Sequence, residues 1–206
     1  MNCVIIALEF YMIWRDTMIL GIDIDDVVTE SSLSMVAHAK IHETEICQKG
    51  DILDHLPDVM RGEFPTPEVK IYLNKFMADI MDAAVVKENA VEVLCRLKEK
   101  GHKLIYITAR GENKFPGSTE VTENLLKDKN LPCDGMVYNS YDKLQDCIDN
   151  GVELMIDDSV KNCTDIAKGG IPTLLFTSIV NEDAETDLPR VATWLELEQY
   201  VDTMAK

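Results

Sequence analysis

The sequence predicts an α/β fold: a three-layer parallel sheet covered by helices on both faces, with a small helical insertion after its first strand. Three observations predict it. Short, near-continuous apolar runs recur along the chain, as in strands buried on both faces. Helical patterns separate these runs, and strand–helix alternation favours an open parallel sheet. One interval, 29–85, breaks the alternation with two helical patterns and little strand signal. A structureless loop of that length is improbable in a compact domain. At 206 residues, 46% hydrophobic and 28% charged, the chain suits one globular domain carrying an insertion.

The elements follow in order. Residues 1–17, "MNCVIIALEFYMIWRDT", are apolar but lack a basic leading segment and contain Glu9, a poor match to a signal peptide. They form an N-terminal extension, and Met18 is read as the true translation start, with a packed N-terminal arm as the alternative. Met18–Ile22 is the first strand. Within the insertion, Ser31–Glu43 and Pro67–Met81 read as helices. Glu88–Lys100 puts Val91, Leu94, Cys95 and Leu97 on one side and stops at Gly101, a good helix terminator. Lys103–Thr108 is the second strand. Ser118 reads as the N-cap of a helix running to about Lys129. Gly135–Asn139 is a weaker third strand, Val152–Ile156 the fourth and Pro172–Phe176 the fifth. Asp142–Asn150 and Val160–Lys168 are helices, each followed by glycine. Leu188–Asp202, with Pro189 early, is the last. The core is then 18–28 plus 86–206, and the cap 29–85.

Three strand ends carry chemistry. The first ends in Asp23-Ile24-Asp25, the second in Thr108 followed by Arg110, and the fourth in Asp157-Asp158. Lys143 lies between the third and fourth. In open α/β sheets ligands bind outside the carboxyl ends of the strands. Carboxylates about 4 Å apart repel by roughly 4 kcal/mol at an effective dielectric of 20. Asp23, Asp25, Asp157 and Asp158 on one rim therefore call for a cation. A hard divalent ion with oxygen ligands, Mg²⁺ above all, fits. It recruits a phosphate, to which Thr108, Arg110 and Lys143 add donors and positive charge.

These residues carry a resemblance. "DIDDV" (Asp23–Val27), "IYITAR" with Thr108, "YDKLQDC" with Lys143 and "LMIDDS" with Asp157 and Asp158 resemble, in order, the four motifs of the haloacid dehalogenase-like (HAD) superfamily. They extend over Met18 to about Phe176. The insertion after the first motif also matches a cap type of that family. "GIDIDD", "ITAR" and "DDS", together with a small helical cap, are most similar to the 5′(3′)-deoxyribonucleotidase-like branch and its bacterial relatives. The resemblance implies a two-step phosphatase with an HAD-like Rossmannoid core. Asp23 attacks phosphorus, and Asp25 protonates the leaving oxygen and then activates water. Lys143 and Thr108 steady the phosphoryl group. Mg²⁺ is held by Asp23, the main-chain carbonyl of Asp25, Asp158 and Asp157. The substrate it implies is a nucleoside or deoxynucleoside 5′-monophosphate. A sugar-phosphate phosphatase and a non-catalytic phosphometabolite-binding protein are the alternatives. Relatives often have glycine at Asp26, which reads as a turn or helix-entry residue.

Other features receive plainer readings. Arg110 either binds phosphate or pairs with a neighbouring acid. Phe64, Tyr72 and Phe76 either stack on a substrate base or form the cap's own core. His38 and His42, four residues apart, are polar-face residues of a cap helix, since nothing completes a zinc set. Asp51, Asp54 and Asp58 are solvated. A calcium loop at Asp23 fails, because Val27, Val28 and Ser34 stand where it needs a ligand, a glycine and a glutamate. A net charge of −17 repels nucleic-acid polymers and anionic membranes while leaving room for a small phosphorylated metabolite. Six scattered cysteines without a CxxC pair read as reduced thiols in a cytoplasmic protein. No apolar run approaches the roughly 20 residues of a bilayer span. Oligomeric state is not legible.

Overall fold

The computed structural model describes residues 17–42 and 67–205. The readings of residues 1–16, Phe64, Asp51, Asp54 and Asp58, and of the His42 side chain, lie outside what is described. Among the described residues the order is β1 (Ile19–Ile22), α1 (Ser31–His42), α2 (Pro67–Asp82), α3 (Ala90–Glu99), β2 (Lys103–Ile107), α4 (Ser118–Asp128), β3 (Gly135–Val137), α5 (Lys143–Asp149), β4 (Leu154–Asp157), α6 (Val160–Lys168), β5 (Thr173–Phe176), β6 (Arg190–Val191) and α7 (Trp194–Met204).

The six strands among the described residues are all parallel, in the order β3-β2-β1-β4-β5-β6. β1 is central, with Ile22 opposite Tyr106 on one side and Ile156 on the other. Alternation along each strand splits the core in two. Leu20, Ile22, Leu104, Tyr106, Leu154 and Ile156 meet α3 and α7 on one face. Ile107 and Met155 meet Cys147 of α5 and Ile166 of α6 on the other. Gly21 faces this second side, where a Cβ would come within 2.7 Å of Met155 Sδ and 2.9 Å of Val152. The missing side chain leaves room for the Met155 and Val152 side chains against β1. Buried Trp194 closes the first face and donates from Nε1 to Val27 O at 3.0 Å. It thereby pins the segment after β1 to α7.

α1 and α2 leave and rejoin the sheet domain through two adjacent strands of chain. Thr29 and Val86 form an antiparallel bridge. Glu30 N–H donates to Val85 O and Lys87 N–H to Val28 O, both at 2.8 Å. Lys87 Nζ pairs with Glu30 at 2.6 Å. Ala39, Val69, Tyr72, Leu73, Met77, Ile80 and Met81 form a second small core, capped by Phe115 from the loop after β2.

The last helical reading needs correction. Leu188–Asp202 is not one helix. Arg190–Val191 pair with Leu175–Phe176 as a sixth, edge strand, and Leu175 N–H donates to Pro189 O at 2.9 Å. The helix starts only at Trp194, where Thr193 and Glu196 form a reciprocal capping box. Ser118 is likewise not an N-cap. It is the first residue of α4 after Gly117, which has φ 83°. Its hydroxyl is used elsewhere, accepting from Gly111 N–H at 2.8 Å.

Candidate active site

The carboxyl ends of β1, β2 and β4 meet at one rim. Asp23 follows β1 directly, and its N–H donates to Ile156 O at 2.9 Å, so the β1–β4 ladder fixes its backbone. Its side chain is buried. Lys143, the first residue of α5, reaches Asp23 Oδ1 at 3.0 Å and Asp157 Oδ2 at 2.5 Å. A cation at a helix N-terminus opposes the helix dipole, so these two carboxylates hold it there. Burial works against the Lys143 charge, but Asp157 and Asp23 outweigh it and raise its pKa. Asp157 is fully buried. It also accepts from Ser159 N–H at 2.8 Å and from Asn162 Nδ2 at 3.2 Å.

Carboxylate oxygens of Asp23, Asp157 and Asp158 all lie within 4.8 Å of one another. Among the described residues, Lys143 is the counter-charge paired with them. Burial raises the pKa of Asp23, and the Asp157 and Asp25 charges add to this against the pull of Lys143. Burial also pushes the Asp158 carboxyl well up, with Asp157, Asp23 and Asp26 adding repulsion. A converging set of hard oxygen donors with excess negative charge suits an octahedral Mg²⁺.

Asp25 stands apart from this cluster. Its carboxylate accepts from Arg110 Nη2 at 2.7 Å, from Nε at 3.1 and 3.2 Å, and from Ser31 Oγ at 2.5 Å. Burial pushes its pKa up, but the Arg110 charge and these hydrogen bonds outweigh that and hold it below the usual carboxylate value. Arg110 is fully buried, and its remaining donors reach Thr122 Oγ1 at 3.2 Å and Ser31 Oγ at 3.4 Å. The Arg110 fork is filled by Asp25. Thr108, also fully buried, directly follows β2, and its Oγ1 accepts from Arg110 N–H at 3.2 Å. Asp26 has φ 58°, which accounts for glycine suiting this position. Its carboxylate accepts from Ser32 N–H at 2.9 Å and from Ser32 Oγ, so it serves the entry to α1.

A cleft of about 180 Å³ opens from Asp25 and Asp158 toward the insertion. Met35, Met77, Ile80, Met81 and Phe115 make its apolar wall, and Lys114 and Ser32 its polar edge. Tyr72 and Phe76 are not among its lining residues. They pack on each other and on His38 inside the small helical core, with ring centroids 5.1–5.7 Å apart. His38 Nδ1 and Tyr72 Oη share a hydrogen bond of 2.5 Å. Sequence reasoning missed the methionine wall, since methionines at helical spacing look like any core face. It also missed Ser31, whose only signal is its place at the start of a cap helix.

No helix among the described residues is long and apolar enough to cross a membrane. Among known proteins, no curated sequence matches this chain. The fold matches solved structures. A haloacid dehalogenase-like hydrolase from Streptococcus pneumoniae aligns with TM-score 0.64 at 15% identity, over 90% of this chain and 99% of that one. One from Bacteroides fragilis aligns with TM-score 0.64 at 14% identity, over 88% and 99%. A predicted phosphoglycolate phosphatase from Haemophilus somnus aligns with TM-score 0.57 at 16% identity, over 90% and 98%. Residues 17–206 match the model of the family described as "5′ nucleotidase, deoxy (Pyrimidine), cytosolic type C protein". The chain belongs to that family, and it is a phosphatase of the HAD superfamily.

Proposed function

We propose that the chain is a cytoplasmic, Mg²⁺-dependent 5′-nucleotidase acting on nucleoside or deoxynucleoside monophosphates through an aspartyl-phosphate on Asp23. The observation that carries this reading is the Asp23–Asp157–Asp158 cluster around Lys143, opening onto an apolar cleft. The family description adds deoxy pyrimidine nucleotides as leading candidates.

Asp23, Asp157, Asp158 and the Asp25 carbonyl would hold the ion. Mg²⁺ there supplies charge neutralisation and polarises a phosphoryl oxygen. Asp23 Oδ forms a bond to phosphorus as the ester P–O bond breaks. The electron pair leaves on the ester oxygen, which takes a proton from Asp25. Arg110 keeps Asp25 ionised in the free protein, and the negative charge of a bound phosphate raises its pKa toward that of a proton donor. In the second step Asp25 removes a proton from water. The water oxygen attacks phosphorus and the aspartyl P–O bond breaks, restoring Asp23. Lys143 and the Thr108 hydroxyl hold the equatorial phosphoryl oxygens, and the helical cap excludes bulk water.

The test is phosphate release with Mg²⁺ across deoxynucleoside, nucleoside and sugar phosphates. Preference for nucleoside monophosphates, abolished in Asp23→Asn, is the expected result. Turnover confined to sugar phosphates keeps the chemistry and replaces the substrate. Release from no phosphomonoester at all contradicts the reading.

A further inference from the structure

We infer that Asn181, acting with Ser178, is the positioning residue of the carboxylate Asp158; this rests on the metal site proposed above.

The two carboxylates after β4 are held very differently. Asp157 has a buried cation and three other donor contacts. Asp158 is half-buried and faces Asp157, Asp23 and Asp26, all acids. Left to repulsion alone it would swing away from them. Among the described residues its carboxylate has one hydrogen-bond donor, Ser178 Oγ, at 3.3 Å from Oδ2.

Behind that hydroxyl stands a fully used amide. Asn181 is 4% exposed. Its Nδ2 donates to the Asp158 carbonyl at 2.6 Å and to the Phe176 carbonyl at 2.8 Å. Its Oδ1 accepts from Ser178 N–H at 3.2 Å and from Arg190 Nη1 at 3.3 Å. Both donors and both acceptor sites of the amide are therefore occupied. Arg190, on β6, also donates to Asn181 O at 3.0 Å and to Ala184 O at 3.1 Å. The turn after β5 is thus braced by the edge strand. One planar group joins the ends of β4 and β5 and sets the backbone from which the Asp158 side chain leaves. Aspartate could not replace it, having no donors for two carbonyls. Partners that orient a metal ligand commonly alter metal affinity by about 10–100-fold when removed.

The experiment is calorimetric Mg²⁺ titration of the full chain, with thermal unfolding in chelator alongside. Asn181→Ala is expected to weaken Mg²⁺ binding by about 10–100-fold and to regain turnover at high Mg²⁺. Ser178→Ala shifts in the same direction by less. Val191→Ala, a buried truncation on the same edge strand, loses stability but keeps wild-type Mg²⁺ affinity. A folded Asn181→Ala with wild-type affinity overturns the inference, as does equal weakening in Val191→Ala. If Asn181→Ala does not fold, Ser178→Ala decides, and unchanged affinity there overturns it. Wild-type protein that binds no Mg²⁺ overturns the metal site and this inference together. Wild-type binding with unmoved variants overturns this inference alone.

Discussion

Asp23→Asn should inactivate the enzyme and stabilise its metal-free form. In the free protein Asp23 is attracted to Lys143 at 3.0 Å by about 5.5 kcal/mol at an effective dielectric of 20. Asp157 and Asp158 present oxygens within 4.8 Å, and each repels it by about 3.5 kcal/mol or more. With both of them ionised the balance is unfavourable by about 1.5 kcal/mol before the cost of burying the charge. Burial with these neighbours raises the Asp23 pKa from 3.8 to about 7, which corresponds to about 4 kcal/mol of destabilisation once the group is ionised. A gain of up to about 4 kcal/mol, or roughly 8–16 °C in Tm, is expected for the variant at about pH 8. The folded-state pKa lies above the unfolded one, so this group favours folding fully below 3.8 and loses that contribution as pH rises through about 7. The gap between variant and wild type should therefore be small near pH 4, widen up to about pH 7, and then level off. Thermal unfolding in chelator across this range measures it, and Mg²⁺ should raise the wild-type Tm more than the variant's. A metal-free Asp23→Asn that is less stable than wild type at about pH 8 refutes the reasoning.

Arg110→Lys loses the forked contact to Asp25 and should lower kcat by about 10²-fold with less change in KM; steady-state kinetics with an unchanged kcat would contradict this. Trp194→Phe leaves the buried Val27 carbonyl without its 3.0 Å donor and should cost about 1–3 kcal/mol in urea unfolding; an unmoved midpoint would argue against that role. For Glu198, the hydrogen bond from Arg96 foremost, and then Lys100, lower the pKa from 4.5 to about 2. Its contribution is present above about pH 4.5 and lost as pH falls toward about 2. Glu198→Gln should thus be less stable than wild type near neutrality, with the two acid-unfolding curves converging over that window.

The central strands were legible because a parallel sheet buries both faces and leaves unmixed apolar runs, as in Leu154–Ile156. β6 was not, because two residues carry no period and Pro189 before them reads as a helix start. Ser118 misled for a related reason. A serine before a helical pattern looks like a cap, and only the fold brings Gly111 N–H to its hydroxyl. At the site, Asp23, Asp157 and Asp158 were readable as charged groups at strand ends, and Lys143 by its motif between the third and fourth strands. The Arg110–Asp25 pair needed coordinates, since the two residues lie on different strand ends and no local pattern joins them. Ser178 and Asn181 carry no motif at all. Their contribution is made through carbonyls 5 and 23 residues away in sequence, which no local pattern encodes. Tyr72 and Phe76 show the converse: aromatics in a small subdomain were required first for its own packing.

The central claim is that Asp23 carries the phosphoryl group between substrate and water. Acid-quenching the enzyme during turnover of a deoxynucleoside 5′-monophosphate, followed by peptide mass spectrometry, tests it directly. The expected result is a phosphoryl adduct on the peptide containing Asp23, removable by hydroxylamine and absent from Asp23→Asn. Turnover that proceeds with the adduct on another residue, or undiminished turnover in Asp23→Asn, would contradict it.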